Sequence, residues 1–185
     1  CLGKYGGNDI NSLTCFKVTL GKTKILLDCG LINNIIDDQL KEEFCDIDII
    51  VLSHDHLDHI LGFVLYNKFF KKNVKVYCTF DLQQLLNTFV VNNDLTEENF
   101  NGVIINCFDD IMRNLRNFKT IGKLEKKNKI KLTNEIQLIV YPLWHCNMKS
   151  AAFTFIFNKQ IITYCGDLQI HQSKSAIYNE INKYY

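Results

Sequence analysis

The sequence predicts a mixed α/β domain. Short β-branched runs alternate with amphipathic stretches, 47% of the residues are apolar, and polar clusters follow directly after predicted strands. A chain of 185 residues with this apolar content can bury one core but is too short for two ordinary domains. We therefore treat residues 1–185 as a single domain.

The first half of the chain predicts a hairpin followed by strands and helices in alternation. Residues 12–20 alternate in polarity, Gly21-Lys22 forms a turn, and residues 24–28 run apolar into Cys29-Gly30. The run "IDIIVL" over 47–52 has no polar face, which is typical of a strand buried on both sides. The remaining elements predicted here are helices over 35–44, 58–69 and 81–91 and a strand over 74–78.

The second half predicts mainly strands. The region 92–133 carries a helix start at Thr96, a short helix over 109–118 and a solvated basic loop over 123–131. Strands follow over 135–141, 151–157 and 160–165, and Asn158-Lys159 joins the last two as a hairpin.

Composition limits the function classes. The net charge of +1 gives no overall electrostatic field that would attract nucleic acid or an acidic membrane. No apolar run approaches the ~20 residues that a membrane-spanning helix needs. Eight cysteines without a CxxC pair indicate free thiols in a reducing compartment, so we expect a cytoplasmic protein without a membrane partner. The sequence leaves the oligomeric state open. Because it begins with Cys1 instead of Met, we expect the natural N-terminus to lie upstream.

One segment, "SHDHLDHILG" over 53–62, carries most of the chemistry. It places three of the five histidines and two aspartates within six positions, directly after the predicted buried strand. His54 and His56 project to one side, and the turn after Leu57 brings Asp58 and His59 to a neighbouring point. Imidazole and carboxylate ligands favour Zn²⁺, with Mn²⁺ or Fe²⁺ as substitutes. A surface histidine cluster without metal is the less favoured alternative, since chance rarely builds HxHxDH after a buried strand.

The same segment ends in Gly62, which lies within the helix predicted over 58–69. Because glycine has no Cβ, we expect another stretch of backbone to approach the helix closely at this point.

The segment over 53–62 resembles the signature of the metallo-β-lactamase fold superfamily, and three further motifs follow that family's order. "ILLDCG" supplies Asp28 and Gly30, "YPLWHCN" supplies His145, and "ITYCGD" supplies Asp167. The resemblance implies an α/β fold of the αββα sandwich type, expected to be incomplete at both ends.

The resemblance also implies the roles of the site residues. Two Zn²⁺ ions would bind in the complete protein, with Asp28 supporting the histidine loop without touching a metal and with Asp58 and Asp167 as catalytic residues. The implied metal ligands are His54, His56 and His145 on the first ion, Asp58 and His59 on the second, and Asp167 on both. The superfamily's last metal histidine has no clear match, because His171 alone follows Asp167 and sits where a loop residue is expected. We therefore expect the chain to be a fragment.

Among the branches of the superfamily, class II cyclic nucleotide phosphodiesterases are the most similar. The segments that carry this resemblance are "LGKYGGNDINSLTCFKV", "SHDHLDHILGFVLYN" and "HCNMKSAAFTF", although that class has Ser-His-Gly where this chain has Trp144-His145-Cys146. The resemblance implies hydrolysis of a 3',5'-cyclic nucleotide to the 5'-nucleotide, with a small phosphodiester as substrate.

Several alternatives stay open. tRNase Z shares the metal loop, "LLDCG" and a histidine followed by Cys, which would make RNA the substrate, but only 22 positions (167 − 145) separate His145 from Asp167, too few for an RNA-gripping arm. β-CASP nucleases, other hydrolases of thioesters or lactams, and a non-catalytic metal-binding scaffold are further alternatives.

Overall fold

Two β-sheets packed face to face form most of the described structure. The computed structural model describes residues 2, 13–30, 37–71, 73–78, 82, 99–100, 103–104, 118–120, 128–145 and 148–167. The strands are β1 (Phe16–Leu20), β2 (Thr23–Leu27), β3 (Ile49–Val51), β4 (Lys75–Cys78), β5 (Asn99–Phe100), β6 (Val103–Ile104), β7 (Phe118–Thr120), β8 (Asn128–Lys131), β9 (Ile136–His145), β10 (Met148–Phe157) and β11 (Gln160–Tyr164).

The first sheet is mixed, in the order β1-β2-β3-β4-β7. The hairpin β1-β2 is antiparallel, with Gly21 at a φ of 60° in its turn, and β3, β4 and β7 continue the sheet in parallel with β2. Parallel strands end at the same edge of a sheet, so the residues that follow β2 and β3 are brought together there. β5 and β6 form a separate antiparallel pair.

The second sheet is antiparallel, in the order β11-β10-β9-β8. Asn158 and Lys159 both have positive φ, at 47° and 67°, as the tight turn between β10 and β11 requires. The long pair β9-β10 runs from Ile136 opposite Phe157 to His145 opposite Met148.

In the described part of the chain, helices α1 and α2 cover the other face of the first sheet. Helix α1 spans Asp37–Phe44, and helix α2 spans Leu57–Leu65 and leads into a 3₁₀ helix at Asn67–Phe69. Strand β2 shows how the layers divide: Leu26 packs with Phe44 and Phe63 on the helical side, whereas Ile25 and Leu27 pack against the second sheet. Each such buried side chain contributes roughly 1.5–3 kcal/mol relative to an exposed one. The described layers are thus helix, sheet and sheet.

The predicted elements agree with the structure in the first half of the chain and near its end. Both hairpins and the buried strand are confirmed, and β3 lies between β2 and β4 with all three of its residues buried. The helix over 81–91, the helix start at Thr96 and the second helical layer of the sandwich lie outside the described residues, Leu82 excepted.

Two predictions in the middle of the chain are wrong where the structure describes it. Residues 128–131, expected in a solvated loop, form β8, because Ile130 packs into the core between the sheets while Lys129 and Lys131 stay exposed. Phe118, expected at a helix end, begins strand β7. No helix within the described residues is both long and apolar enough to cross a membrane.

Candidate metal centre

The predicted site residues meet at one end of the two sheets. Asp28 follows β2, the segment from Ser53 to His59 leads from β3 into the first turn of α2, His145 ends β9, and Asp167 lies three residues after β11. The first sheet therefore supplies the histidine loop, and the second sheet supplies the other two predicted ligands. A backbone hydrogen bond from the Ala151 N–H to the Ser53 carbonyl (2.9 Å) joins the sheets beside the loop.

The first group of donors contains three histidines and one carboxylate. One ligand atom from each residue lies within 4.8 Å of every other, and the ring centroids of His54, His56 and His145 are 4.6 to 5.1 Å apart. Four nitrogen and oxygen donors so arranged match the donor number and type that Zn²⁺ takes in proteins. The members of this group are His54, His56, His145 and Asp167.

The second group consists of Asp58, His59 and Asp167. The Nε2 atom of His59 lies 3.5 Å from Oδ2 of Asp58 and 3.3 Å from Oδ1 of Asp167. The other oxygen of Asp167, Oδ2, lies 3.4 Å from Nε2 of His145. Asp167 therefore belongs to both groups, and each of its oxygens faces a different one.

Asp28 lies beneath both groups and is fully buried. Its Oδ1 accepts a hydrogen bond from the Ser53 N–H (2.6 Å). Its Oδ2 accepts from the Ser53 hydroxyl (2.6 Å), from Nδ1 of His59 (2.6 Å) and from the Tyr164 hydroxyl (2.5 Å). Asp28, His54 and His59 also form a third possible metal group. The two oxygens of Asp28, however, already accept the four hydrogen bonds just described. These hydrogen bonds match the supporting position expected of Asp28.

This network fixes the tautomers of two histidines. A carboxylate only accepts, so the Nδ1 of His59 carries the hydrogen that points at Asp28. The one hydroxyl hydrogen of Ser53 also points at Asp28, so the Nδ1 of His54, 2.9 Å from that hydroxyl oxygen, is the donor in their contact. In its neutral form each ring then presents its Nε2 lone pair to one of the two donor groups.

Those two Nε2 atoms are buried and have no hydrogen-bond partner. Unpartnered buried polar atoms are uncommon and need a physical reason. A divalent cation bound by the two groups would supply the missing partner for both histidines, so these residues fit a metal.

Burial and charge act differently on the two rings. Burial, assisted by repulsion from His59, lowers the pKa of His54 to about 4, so this ring is neutral at pH 7 as a metal ligand must be. Burial also lowers the pKa of His59, but the hydrogen bond and charge of Asp28 outweigh it, and the pKa is raised overall. A metal ion that binds Nε2 of His59 would therefore have to compete with a proton for that nitrogen. The Tyr164 hydroxyl remains a donor, since burial and then the charge of Asp28 raise its pKa.

Close backbone packing holds the loop in place. A Cβ at Gly62 would lie 2.2 Å from the Gly30 carbonyl oxygen, and one at Gly30 would lie 2.2 Å from the Asp58 carbonyl oxygen. The Cys29 N–H donates to the His59 carbonyl (2.7 Å). The close backbone approach predicted at Gly62 is confirmed.

The structure brings together all six predicted ligands and places Asp28 beneath them, whereas Asp55 belongs to none of the three groups found in the described part of the chain. His171 and Cys146 lie outside the described residues. Sequence reasoning missed Ser53 and Tyr164. Ser53 could have been found from its position beside His54, but Tyr164 is 136 positions from Asp28 and has no local signal.

Comparison with known proteins agrees with this geometry. The sequence model of the family described as "Anti-Pycsar protein Apyc1" matches residues 11–184. An RNase J-like protein from Methanocaldococcus jannaschii is 25% identical over 178 residues, covering 94% of this chain and 37% of the relative. The chain thus spans little more than a third of that relative's length.

Solved structures share the fold. Human tRNase Z, short form, aligns with a TM-score of 0.57 at 15% identity, over 90% of this chain and 67% of that one. The metallo-β-lactamase fold protein YhfI from Bacillus subtilis aligns with a TM-score of 0.58 at 16% identity, over 90% and 61%. The predicted superfamily and α/β fold class are confirmed. The chain has the metallo-β-lactamase fold and belongs to the Anti-Pycsar protein Apyc1 family.

Proposed function

We propose that the complete protein is a metal-dependent phosphodiester hydrolase that opens a 3',5'-cyclic nucleotide to the 5'-nucleotide. The observation that carries this proposal is the pair of donor groups that share Asp167. Two cations held side by side suit displacement at phosphorus, in which one oxygen attacks while another leaves.

His54, His56 and His145 would hold one ion, Asp58 and His59 the other, and Asp167 would bind both. Zn²⁺ is the preferred ion for these nitrogen and oxygen donors, with Mn²⁺ or Fe²⁺ as substitutes. When bound, the ions would supply a hydroxide nucleophile at neutral pH and neutralise the negative charge of the phosphodiester.

The chain's own residues would handle position and protons. Asp58 is 17% exposed, so its carboxylate keeps some contact with solvent. We assign it the task of orienting the attacking water and passing its proton to the leaving oxygen. Asp28 and Ser53 would keep the histidine rings oriented throughout.

The net charge of the chain and its resemblance to cyclic nucleotide phosphodiesterases both favour a small substrate. A net charge of +1 offers little to hold a long polyanion, and the chain's opening resembles class II cyclic nucleotide phosphodiesterases. A small diester would instead be held mainly by its phosphate. A cytoplasmic location would suit both such a substrate and the free, buried thiols of Cys15, Cys29 and Cys78.

RNA cleavage is the second candidate, favoured by the similarity to an RNase J-like protein over 94% of the chain. RNA binding depends on many phosphate contacts, so it would weaken steeply as salt rises. A cyclic nucleotide, with one phosphate, would show a much smaller salt dependence. Salt dependence therefore separates the two candidates.

The test uses the full natural protein loaded with Zn²⁺. The 3',5'-cyclic forms of adenosine, guanosine, cytidine and uridine monophosphate are compared with a precursor tRNA at low and moderate salt, and products are resolved by chromatography. We expect turnover of at least one cyclic nucleotide to its 5'-monophosphate, lost with a chelator and in His56→Ala. Cleavage of the RNA alone would favour the nuclease, and metal binding without any turnover would indicate a non-catalytic scaffold.

A further inference from the structure

Among the described residues that hydrogen-bond around Asp28 beneath the metal groups, Tyr164 alone comes from the second sheet. Asp28, Ser53 and His59 all belong to segments that follow strands of the first sheet, whereas Tyr164 ends β11. Its hydroxyl donates to Oδ2 of Asp28 at 2.5 Å, and the contact joins residues 136 positions apart.

The oxygen that Tyr164 contacts also serves both donor groups. Oδ2 of Asp28 accepts from His59, a member of the second group, and from the Ser53 hydroxyl, which in turn contacts His54 of the first group. The position of this single oxygen therefore determines the orientation of one ring in each group. Because Oδ2 of Asp28 accepts three hydrogen bonds, it has little freedom to move.

We propose that Tyr164 is a positioning residue that orients His54 and His59 together through Asp28, so that its hydroxyl strengthens metal binding at both sites. The inference rests on the metal centre of the proposed function but not on its substrate. Partners of this kind, one step removed from the metal, typically change metal affinity about 10- to 100-fold.

The geometry next to Asp167 supports this role. Gly166 has a φ of 54°, and a Cβ there would lie 2.6 Å from the Ser53 hydroxyl oxygen. The segment from Tyr164 to Asp167 therefore packs directly on Ser53 and ends in the shared carboxylate. One short stretch of chain supplies the bridging ligand and, three residues earlier, the donor that holds the rings facing it.

The test is Tyr164→Phe in the full natural protein, with zinc affinity measured at each site by competition with a chromogenic chelator. We expect both zinc affinities to fall by about tenfold. Ser53→Ala should weaken mainly the site of His54. Tyr77→Phe, which removes a hydroxyl from a tyrosine buried between the sheets, is the matched control and should leave both affinities within about twofold.

A second readout needs neither metal nor substrate. In the metal-free protein, the Nδ1–H signals of His54 and His59 should be visible by nuclear magnetic resonance, and both should shift in Tyr164→Phe but not in Tyr77→Phe. Unchanged ring signals, a loss at one zinc site alone, or an equal loss in the control would overturn the proposal. Failure to hydrolyse any cyclic nucleotide would overturn the proposed function and leave this result standing.

Discussion

The carboxylate of Asp167 lies 3.3 Å from Nε2 of His59 through Oδ1, while its Oδ2 faces the other donor group. A carboxylate so placed can bind two cations at once, which no neutral side chain of similar size does as well.

Asp167→Asn should remove the shared charge while keeping the shape of the side chain. We expect the number of zinc ions retained per chain to fall from two to one or fewer, and hydrolysis to fall at least about 100-fold, since such charge stabilisation is worth several kcal/mol. Elemental analysis after gel filtration gives the metal content. Retention of both ions with full activity would remove Asp167 from the site.

Asp58 and Asp55 provide a matched pair within one loop. Only Asp58 belongs to a donor group, so Asp58→Ala should abolish hydrolysis and weaken one metal site, whereas Asp55→Ala should be much milder. Initial rates and metal content are measured side by side. Equal losses in the two variants would mean that the roles within the loop are wrongly assigned.

Metal removal should lower stability as well as activity. A ligand present at 100 times its Kd stabilises the folded state by about 2.7 kcal/mol. For a protein of this size that corresponds to roughly 5 to 11 °C in Tm. Differential scanning calorimetry with and without a chelator checks this, with Mg²⁺ as the control cation. An unchanged Tm would argue against zinc binding by the folded chain.

Gly62→Ala tests the close packing of the loop. In an open helix this change stabilises by about 0.5–1 kcal/mol, but here the new Cβ would lie 2.2 Å from the Gly30 carbonyl oxygen, a backbone atom. We expect the opposite sign, a loss of about 1–3 kcal/mol in the free energy of unfolding. Chemical denaturation measures it. Gly21→Asn, in the β1-β2 turn, is the control and should cost less because Asn tolerates positive φ.

The surface pair of Asp48 and Lys71 predicts a pH effect. Partial burial alone would raise the pKa of Asp48, but hydrogen bonds from Lys71 and from the Lys24 N–H outweigh it and lower the pKa. Because the folded pKa is the lower one, the stabilisation is present above the unfolded value of 3.8 and is lost as pH falls through the folded pKa.

Asp48→Asn should therefore reduce stability at pH 7 by no more than about 1 kcal/mol, because the pair is partly exposed. The difference from the natural protein should shrink below about pH 4. Urea denaturation from pH 7 to pH 3 measures both. A difference that grows on acidification would contradict the assignment.

The sequence predicts those parts of the fold that depend on a short, continuous pattern of residues. The run over 47–52 is typical of a strand buried on both faces, and Asn158-Lys159 between two strand-like runs predicts a tight turn. The spacing of His54, His56, Asp58 and His59 likewise indicates a metal loop from the sequence alone. Strand β8 was missed because the lysines of 123–131 suggest solvent, whereas the strand forms by pairing with β9 and by packing Ile130 against the core.

Long-range contacts could not be predicted in this way. The hydrogen bond between Tyr164 and Asp28 depends on how one sheet packs on the other, and nothing in either segment specifies the partner. The tautomers of His54 and His59 depend on hydrogen bonds with Ser53 and Asp28, which no local pattern in the sequence specifies.

The division of the donors between the sheets has a consequence for motion. Because His54, His56, Asp58 and His59 follow the first sheet, while His145 and Asp167 follow the second, an ion bound by either group would act as a cross-link between the sheets. Separation of the two sheets at this end would then require release of the metal. As zinc is added, we expect the exchange rates of the backbone amide hydrogens in β3 and in β9 to fall together. Without zinc, the sheets would be joined at the site by the hydrogen bonds of Ala151 with Ser53 and of Tyr164 with Asp28, which are weaker links than a bound metal ion.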